Sequence, residues 1–155
     1  MKFIYTDIDF VLCLASEYKY HDTKWGLIQK FNPGAVKVYN QILTETGALP
    51  IITSDWRYHY NLESLREIFL EWAGIIVKPA GITPEIPGIV LQRQAEWRAK
   101  EILEHVNQFK PDFWVAIDDL DLSPWIDASH FVICPRSNEG IKQCGKANKV
   151  IKLLI

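Results

Sequence analysis

The chain has 155 residues, 48% of them hydrophobic and 23% charged, which suits one globular domain with a real core and excludes disordered and fibrous classes. Seventeen Lys and Arg against nineteen Asp and Glu leave a formal charge of −2, so no bulk attraction draws it to nucleic acid or to an anionic membrane. Cys13, Cys134 and Cys144 form no C-x-x-C pair, which argues against a disulfide framework or zinc site and predicts a reducing, cytoplasmic setting.

The first apolar stretch, Phe3, Ile4, Tyr5 and Ile8, is broken by Asp7 and Asp9. It reads as a buried strand with polar groups at its C-terminal end, not as a signal peptide. No run approaches the roughly 18 apolar residues of a membrane helix, so a soluble protein without a membrane partner is expected. After a polar, aromatic-rich stretch, Asn32-Pro33 opens a helix that Val36, Tyr39, Ile42 and Leu43 continue and Gly47 ends. Leu49–Ile52 is a second strand, stopping at Thr53-Ser54-Asp55. Asn61 caps a second helix with Leu62, Leu65, Ile68, Phe69 and Trp72 on one face, closed by Gly74. Ile75, Ile76 and Val77 then predict a third strand, and the Pro- and Gly-rich segment Lys78–Gly88 a loop. A third helix is expected over Leu91–Phe109, a fourth strand over Phe113–Ile117 ending at Asp118-Asp119, a fifth at Phe131–Ile133, and a last helix over Lys146–Ile155.

Strand and helix alternate, which predicts a three-layer, Rossmann-like α/β fold around a mostly parallel five-stranded sheet, one domain over 1–155. Parallel strands would bring Asp7 and Asp9, Thr53 and Ser54, and Asp118 and Asp119 to one sheet edge, where such folds bind ligands. Each cluster alone is ordinary: a loop, a helix-capping turn, a solvated acidic patch. Together they have a shared chemistry. Crowded carboxylates need a cation, and hard oxygen donors with open positions suit Mg2+. One carboxylate can then attack a phosphorus atom, a second can move protons, and hydroxyls with a Lys or Arg can hold the phosphate.

Phe3-Ile4-Tyr5-Thr6-Asp7-Ile8-Asp9-Phe10-Val11-Leu12 resembles the first motif of haloacid dehalogenase-type hydrolases, D-x-D-G-V-L after apolar residues. Ile51-Ile52-Thr53-Ser54 is similar to the second motif and Val115-Ala116-Ile117-Asp118-Asp119 to the fourth. Thr53-Ser54-Asp55-Trp56-Arg57 is similar to the Ser-Ser-x-Trp-Arg run of the small, nearly capless branch found in RNA-repair proteins, and Asn138-Glu139-Gly140-Ile141 to its closing Gly-Leu turn. The resemblance implies Asp7 as nucleophile, Asp9 as general acid/base that also lends its backbone carbonyl to the metal, Thr53 and Ser54 at the phosphate, and Asp118 and Asp119 completing a magnesium site with Asp7. The third-motif base is open among Arg98, Lys100 and Arg93. Arg57 either touches the phosphate or reaches past a packed Trp56 to water. Phe10 stands where the family has glycine, so the turn there either differs or fills part of the pocket.

Only about twenty residues separate the first motif from the next helix, too few for a large cap. Tyr18, Tyr20, His21 and Trp25 lie in that stretch, where they either pack over the sheet or stack on a base. The resemblance therefore implies a Mg2+-dependent phosphomonoester hydrolase working through an aspartyl-phosphate, with polynucleotide ends as phosphorylated substrate. The alternatives are a phosphatase of nucleotides or sugar phosphates and a non-catalytic phosphate-binding or phosphoacceptor module. Nothing in the pattern sets the oligomeric state.

Overall fold

Alternation within the strands sorts the apolar side chains into two layers. In a computed structural model that describes residues 1–17, 19–88 and 91–155, the elements in chain order are β1 (Lys2–Thr6), a hairpin of β2 (Tyr20–Thr23) and β3 (Gly26–Gln29), α1 (Pro33–Thr46), β4 (Leu49–Ile52), α2 (Leu62–Glu67), β5 (Gly81–Ile82), α3 (Gln94–Phe109), β6 (Phe113–Asp118), β7 (Phe131–Ile133) and α4 (Lys146–Leu154). Tyr18 lies outside the described residues. The main sheet runs β5-β4-β1-β6-β7 with every neighbouring pair parallel. Phe3, Tyr5, Ile51, Trp114 and Ala116 pack on Ala99 and Ile102 of α3. Their chain neighbours Ile4, Ile52, Val115 and Ile117 belong to a second cluster with Tyr39 of α1, Leu65 of α2 and Leu154 of α4. Each fully buried large side chain contributes about 1.5–3 kcal/mol, and a helix layer on each face lets the strands be apolar on both sides.

Local chemistry fixes the helix ends. Asn32 accepts from the Ala35 N–H at 2.9 Å, Pro33 fills the first turn, and Gly47 (φ 69°) donates to the Leu43 carbonyl. Asn61 caps α2, which winds on as a π-helical segment, Ile68–Ala73, to Gly74. A 3-10 turn, Leu91–Arg93, leads into α3, so the helix expected from Leu91 starts at Gln94.

Two sequence expectations need correction. Ile75–Val77 is not a strand: Ile75 drops into the core and Ile76 is exposed, so this apolar run closes the helix end. The strand beside β4 is Gly81–Ile82, inside the segment read as a loop. Only two residues pair there, Gly81 with Ile51 and Ile82 with Ile52, and so short an edge strand leaves no alternation in the sequence to detect. The stretch before α1 holds a hairpin not anticipated there, with Lys24-Trp25 at its turn. Trp25 donates to Glu67 (3.0 Å) and Trp72 to the Gln29 carbonyl (2.8 Å), pinning the hairpin to the second helical region. Among the described residues no helix is long and apolar enough to cross a membrane.

Candidate active site

β1 lies between β4 and β6, so the residues just past these three strands meet at one edge. The ladder continues one residue beyond β1: the Asp7 N–H donates to the Ile117 carbonyl (3.2 Å) and the Thr53 N–H to the Thr6 carbonyl (3.1 Å). Asp7, Thr53, Ser54 and Asp118 are all buried there. One ligand oxygen from each of Asp7, Asp118 and Asp119 falls within 4.8 Å of the others.

Arg98 reaches this cluster from α3. Its Nη1 lies 2.8 Å from Asp118 Oδ2 and 3.3 Å from Asp7 Oδ1, and its Nη2 lies 3.3 Å from Asp55. Arg98, Glu101, Ile102 and His105 are the buried stripe of α3, at the i, i+3, i+4, i+7 spacing of one helix face. Lys100 falls off that stripe: half exposed, it pairs with Glu96 at 3.5 Å and sits over Trp97. Arg93 is exposed and also faces Glu96, at 3.9 Å. Of the three candidate bases, the structure brings only Arg98 to the carboxylates.

Arg57 corrects the expected placement further. It is buried and donates to Glu101 (2.7 Å), to the Thr83 hydroxyl, to the carbonyls of Thr83 (3.0 Å) and Pro84 (3.2 Å), and to Tyr58 (3.1 Å). Glu101 also accepts from the Ile86 N–H (3.2 Å). This arginine ties the edge segment to α3 and makes no contact with the aspartates.

Asp9 stands apart from the three clustered carboxylates by its side chain, whose Oδ1 accepts from Trp56 Nε1 at 3.1 Å. Burial raises its carboxyl above the usual range, while the Trp56 bond works in the opposite direction. Burial, then the Asp118 charge, push Asp7 well above that range against the pull of Arg98. Asp118 is raised by burial to about 6, opposed by Arg98 and the Leu120 N–H. Burial alone would lower the Arg98 guanidinium's pKa. Asp118, Asp7 and Asp55 outweigh it and keep the group charged.

Phe10 adopts φ 65°, the left-handed conformation that the glycine of D-x-D-G supplies in the resembled motif, so the tight turn is kept. The Phe10 N–H donates to Cys13 O at 2.7 Å. Gly140 presses on this turn: a Cβ there would lie 2.5 Å from the Val11 carbonyl, and the Ile141 N–H bonds that same carbonyl at 3.3 Å. Sequence reasoning missed Asp55 and Arg136 as site residues. Arg136 lies 4.3 Å over the Phe10 ring and donates to Asp119 at 3.0 Å; both residues line the cleft with Asp7, Asp9 and Asp119. The one signal for Arg136 was its place shortly after the fifth strand.

Two observations bear on what the site can hold. A guanidinium shared by Asp7 and Asp118 leaves excess negative charge among hard oxygen donors, which fits Mg2+. The Thr53 hydroxyl is buried without a hydrogen-bond partner, an arrangement that costs stability unless something polar meets it.

A parallel sheet whose central strand delivers a buried aspartate to two further acids and an arginine has the framework of a haloacid dehalogenase-type phosphohydrolase. Comparison with known families narrows this: the family described as the HAD domain in Swiss Army Knife RNA repair proteins matches residues 3–143, and the chain belongs to it. No curated protein and no solved structure matches the chain.

Proposed function

We propose that this protein is a Mg2+-dependent phosphomonoester hydrolase that forms an aspartyl-phosphate on Asp7, with phosphorylated polynucleotide ends as its substrate. The observation that carries the reading is the buried Asp7 carboxylate at the end of β1, 3.3 Å from Arg98 and clustered with Asp118 and Asp119. Asp7, Asp118 and Asp119 would hold the metal, with the Asp9 backbone carbonyl. When bound, Mg2+ supplies charge neutralisation that lets a dianionic phosphate approach a carboxylate.

An Asp7 oxygen attacks phosphorus as the bond to the leaving oxygen breaks, and Asp9 gives that oxygen its proton. Asp9, now ionised, takes a proton from water as the water oxygen attacks phosphorus, and the phosphate departs, restoring Asp7. Arg98 and the Thr53 hydroxyl hold the transferring phosphoryl group. Ser54 accepts from the Trp56 N–H and retains its own proton to donate. Family membership and a carboxylate cleft that, among the described residues, no hairpin residue lines support a polynucleotide end, and free cysteines at all three positions support the cytoplasm. Residues 1–155 serve as one phosphatase domain in this reading.

The test is hydrolysis of a phosphomonoester panel with Mg2+ and with chelator, alongside a hydroxylamine-labile phosphoenzyme formed from labelled substrate. Activity undiminished by chelator removes the metal from the scheme. Turnover of sugar phosphates with none of oligonucleotide ends hands the case to a small-molecule phosphatase.

A further inference from the structure

Beside the carboxylate site lies a second cleft of about 480 Å3, and the two share Asp9 and Asp55 in their linings. One wall is the hairpin. Tyr20 and Leu27 are 66% and 65% exposed, large side chains left open to solvent on adjoining strands. Paired residues of an antiparallel hairpin face the same way, and Tyr20 shares its face with Asp22, whose partner is Leu27. The buried Ile28, which also reaches the cleft, and its partner His21, which lies against Trp72, occupy the other face. The opposite wall is Trp56 and Tyr60, rings 5.9 Å apart, with Trp56 braced on Phe31 and bonded to Asp9. Among the described residues no Lys or Arg lines this cleft; Asp9, Asp55 and His59 are its acidic and basic lining residues.

From these features we infer that the cleft is the subsite for the base of the leaving nucleoside. The inference rests on the phosphatase reading for its orientation: Asp9 protonates the leaving oxygen, so the space just beyond Asp9 receives the leaving group. Aromatic walls favour a flat, neutral ring system, and a floor whose Asp9 is the proton donor and whose Asp55 is a carboxylate offers no cationic partner to a second phosphate. The enzyme therefore grips one terminal nucleotide by its base, and the rest of any polynucleotide leaves the cleft without its phosphodiesters being held. The volume is enough for one nucleoside.

The discriminating measurement is kcat/KM for nucleoside monophosphates, ribose 5-phosphate and a 5′-phosphorylated oligonucleotide. A base in the cleft gives nucleotides at least about fivefold over ribose 5-phosphate, since stacking of one base is worth roughly that factor or more. The oligonucleotide should stay within a few-fold of the mononucleotide, with a shallow salt dependence. Tyr20→Ala and Tyr60→Ala should each collapse the nucleotide preference several-fold through KM, and Tyr20→Phe should keep it. Equal kcat/KM for ribose 5-phosphate and nucleotides, or a preference untouched by both alanines, overturns the subsite.

Binding of adenosine and guanosine to Asp7→Asn protein, followed by calorimetric titration, separates this inference from the catalytic reading. Nucleoside binding that Tyr20→Ala weakens, where the wild-type protein with Mg2+ hydrolyses none of the phosphomonoesters, upholds the subsite and rejects the catalysis. Phosphatase activity with no nucleoside binding does the reverse.

Discussion

Arg98 and Glu101 stand one turn apart on the inner face of α3, and each belongs to a different buried ion cluster. Glu101 meets Arg57 one to one, side chains 3% and 1% exposed, and backbone carbonyls and hydroxyls take up most of the guanidinium's other donors. Arg98 meets Asp7, Asp55 and Asp118 at once. The first cluster is balanced in charge, one carboxylate to one guanidinium, although the buried Arg57 Nε has no hydrogen-bond partner. The second carries surplus negative charge beside an unpartnered Thr53 hydroxyl, an arrangement that folding alone does not favour and that a cation and a phosphate would satisfy. The two clusters therefore differ in charge balance: one carboxylate to one guanidinium at Arg57, three carboxylates to one guanidinium at Arg98.

The largest effect that breaks this contrast is Asp7→Asn. The amide keeps the shape and loses nucleophilicity, so turnover should fall to background. Removing one of the crowded carboxylates should also make the metal-free protein more stable, by about 1 kcal/mol. Calorimetry and the phosphatase assay on one preparation check both halves. An Asp7→Asn protein that turns over at the wild-type rate removes the covalent mechanism.

Arg57→Ala should act in the opposite sense. It leaves Glu101 buried and uncompensated, a loss of about 3–5 kcal/mol, while the fraction that stays folded keeps its KM for phosphate. Urea unfolding with kinetics normalised to folded protein reads this. A raised KM at unchanged stability would restore Arg57 to the phosphate.

A smaller effect belongs to the Arg57 side of the molecule. His105 packs on Phe3 and Phe109, and its Nδ1 shares a 2.8 Å hydrogen bond with Tyr5 OH; Glu101, the partner of Arg57, lies one turn earlier on the same buried stripe of α3. Burial lowers its pKa from the ordinary 6.5. A depressed folded-state value means that the unfolded chain takes the proton first. Stability from this group is complete above pH 6.5 and is lost as pH falls through the lower folded value. Urea midpoints from pH 7.5 to 5 should fall, and His105→Gln should flatten that part of the profile. Parallel profiles for the two proteins would assign the acid sensitivity elsewhere.

Much of this was legible in the sequence because strand ends carry chemistry in parallel sheets. Asp7, Asp118 and Thr53 follow apolar runs directly, so pattern alone brought them together. Arg98 remained one of three because choosing it over Lys100 requires the rotational phase of α3, which only packing sets. Arg57 was misplaced because its partner Glu101 lies 44 positions away, and no local pattern encodes such a pairing. β5 was missed because two residues at an edge have no period. The hairpin's role was hidden for a related reason: Tyr20 and Leu27 face one way only once the register of β2 on β3 is known.

Phe10 offers the finest comparison, because it sets backbone strain in the reaction centre against the cost of flexibility. In the left-handed region a side chain's Cβ crowds the following carbonyl, a penalty of about 1–2 kcal/mol for residues other than glycine. Elsewhere in a fold glycine is the worse choice than alanine, by roughly 0.5–1 kcal/mol of extra freedom in the unfolded chain. At φ 65° the order should reverse. Phe10→Ala loses the ring beneath Arg136 and keeps the strain; Phe10→Gly loses the same ring and releases it. Phe10→Gly should therefore melt above Phe10→Ala by about 2–4 °C, the shift expected from a difference of about 1 kcal/mol in a domain of this size. If Phe10→Ala melts at the same temperature or higher, the turn after Asp9 is not left-handed in solution, and its likeness to the glycine turn of the family fails with it.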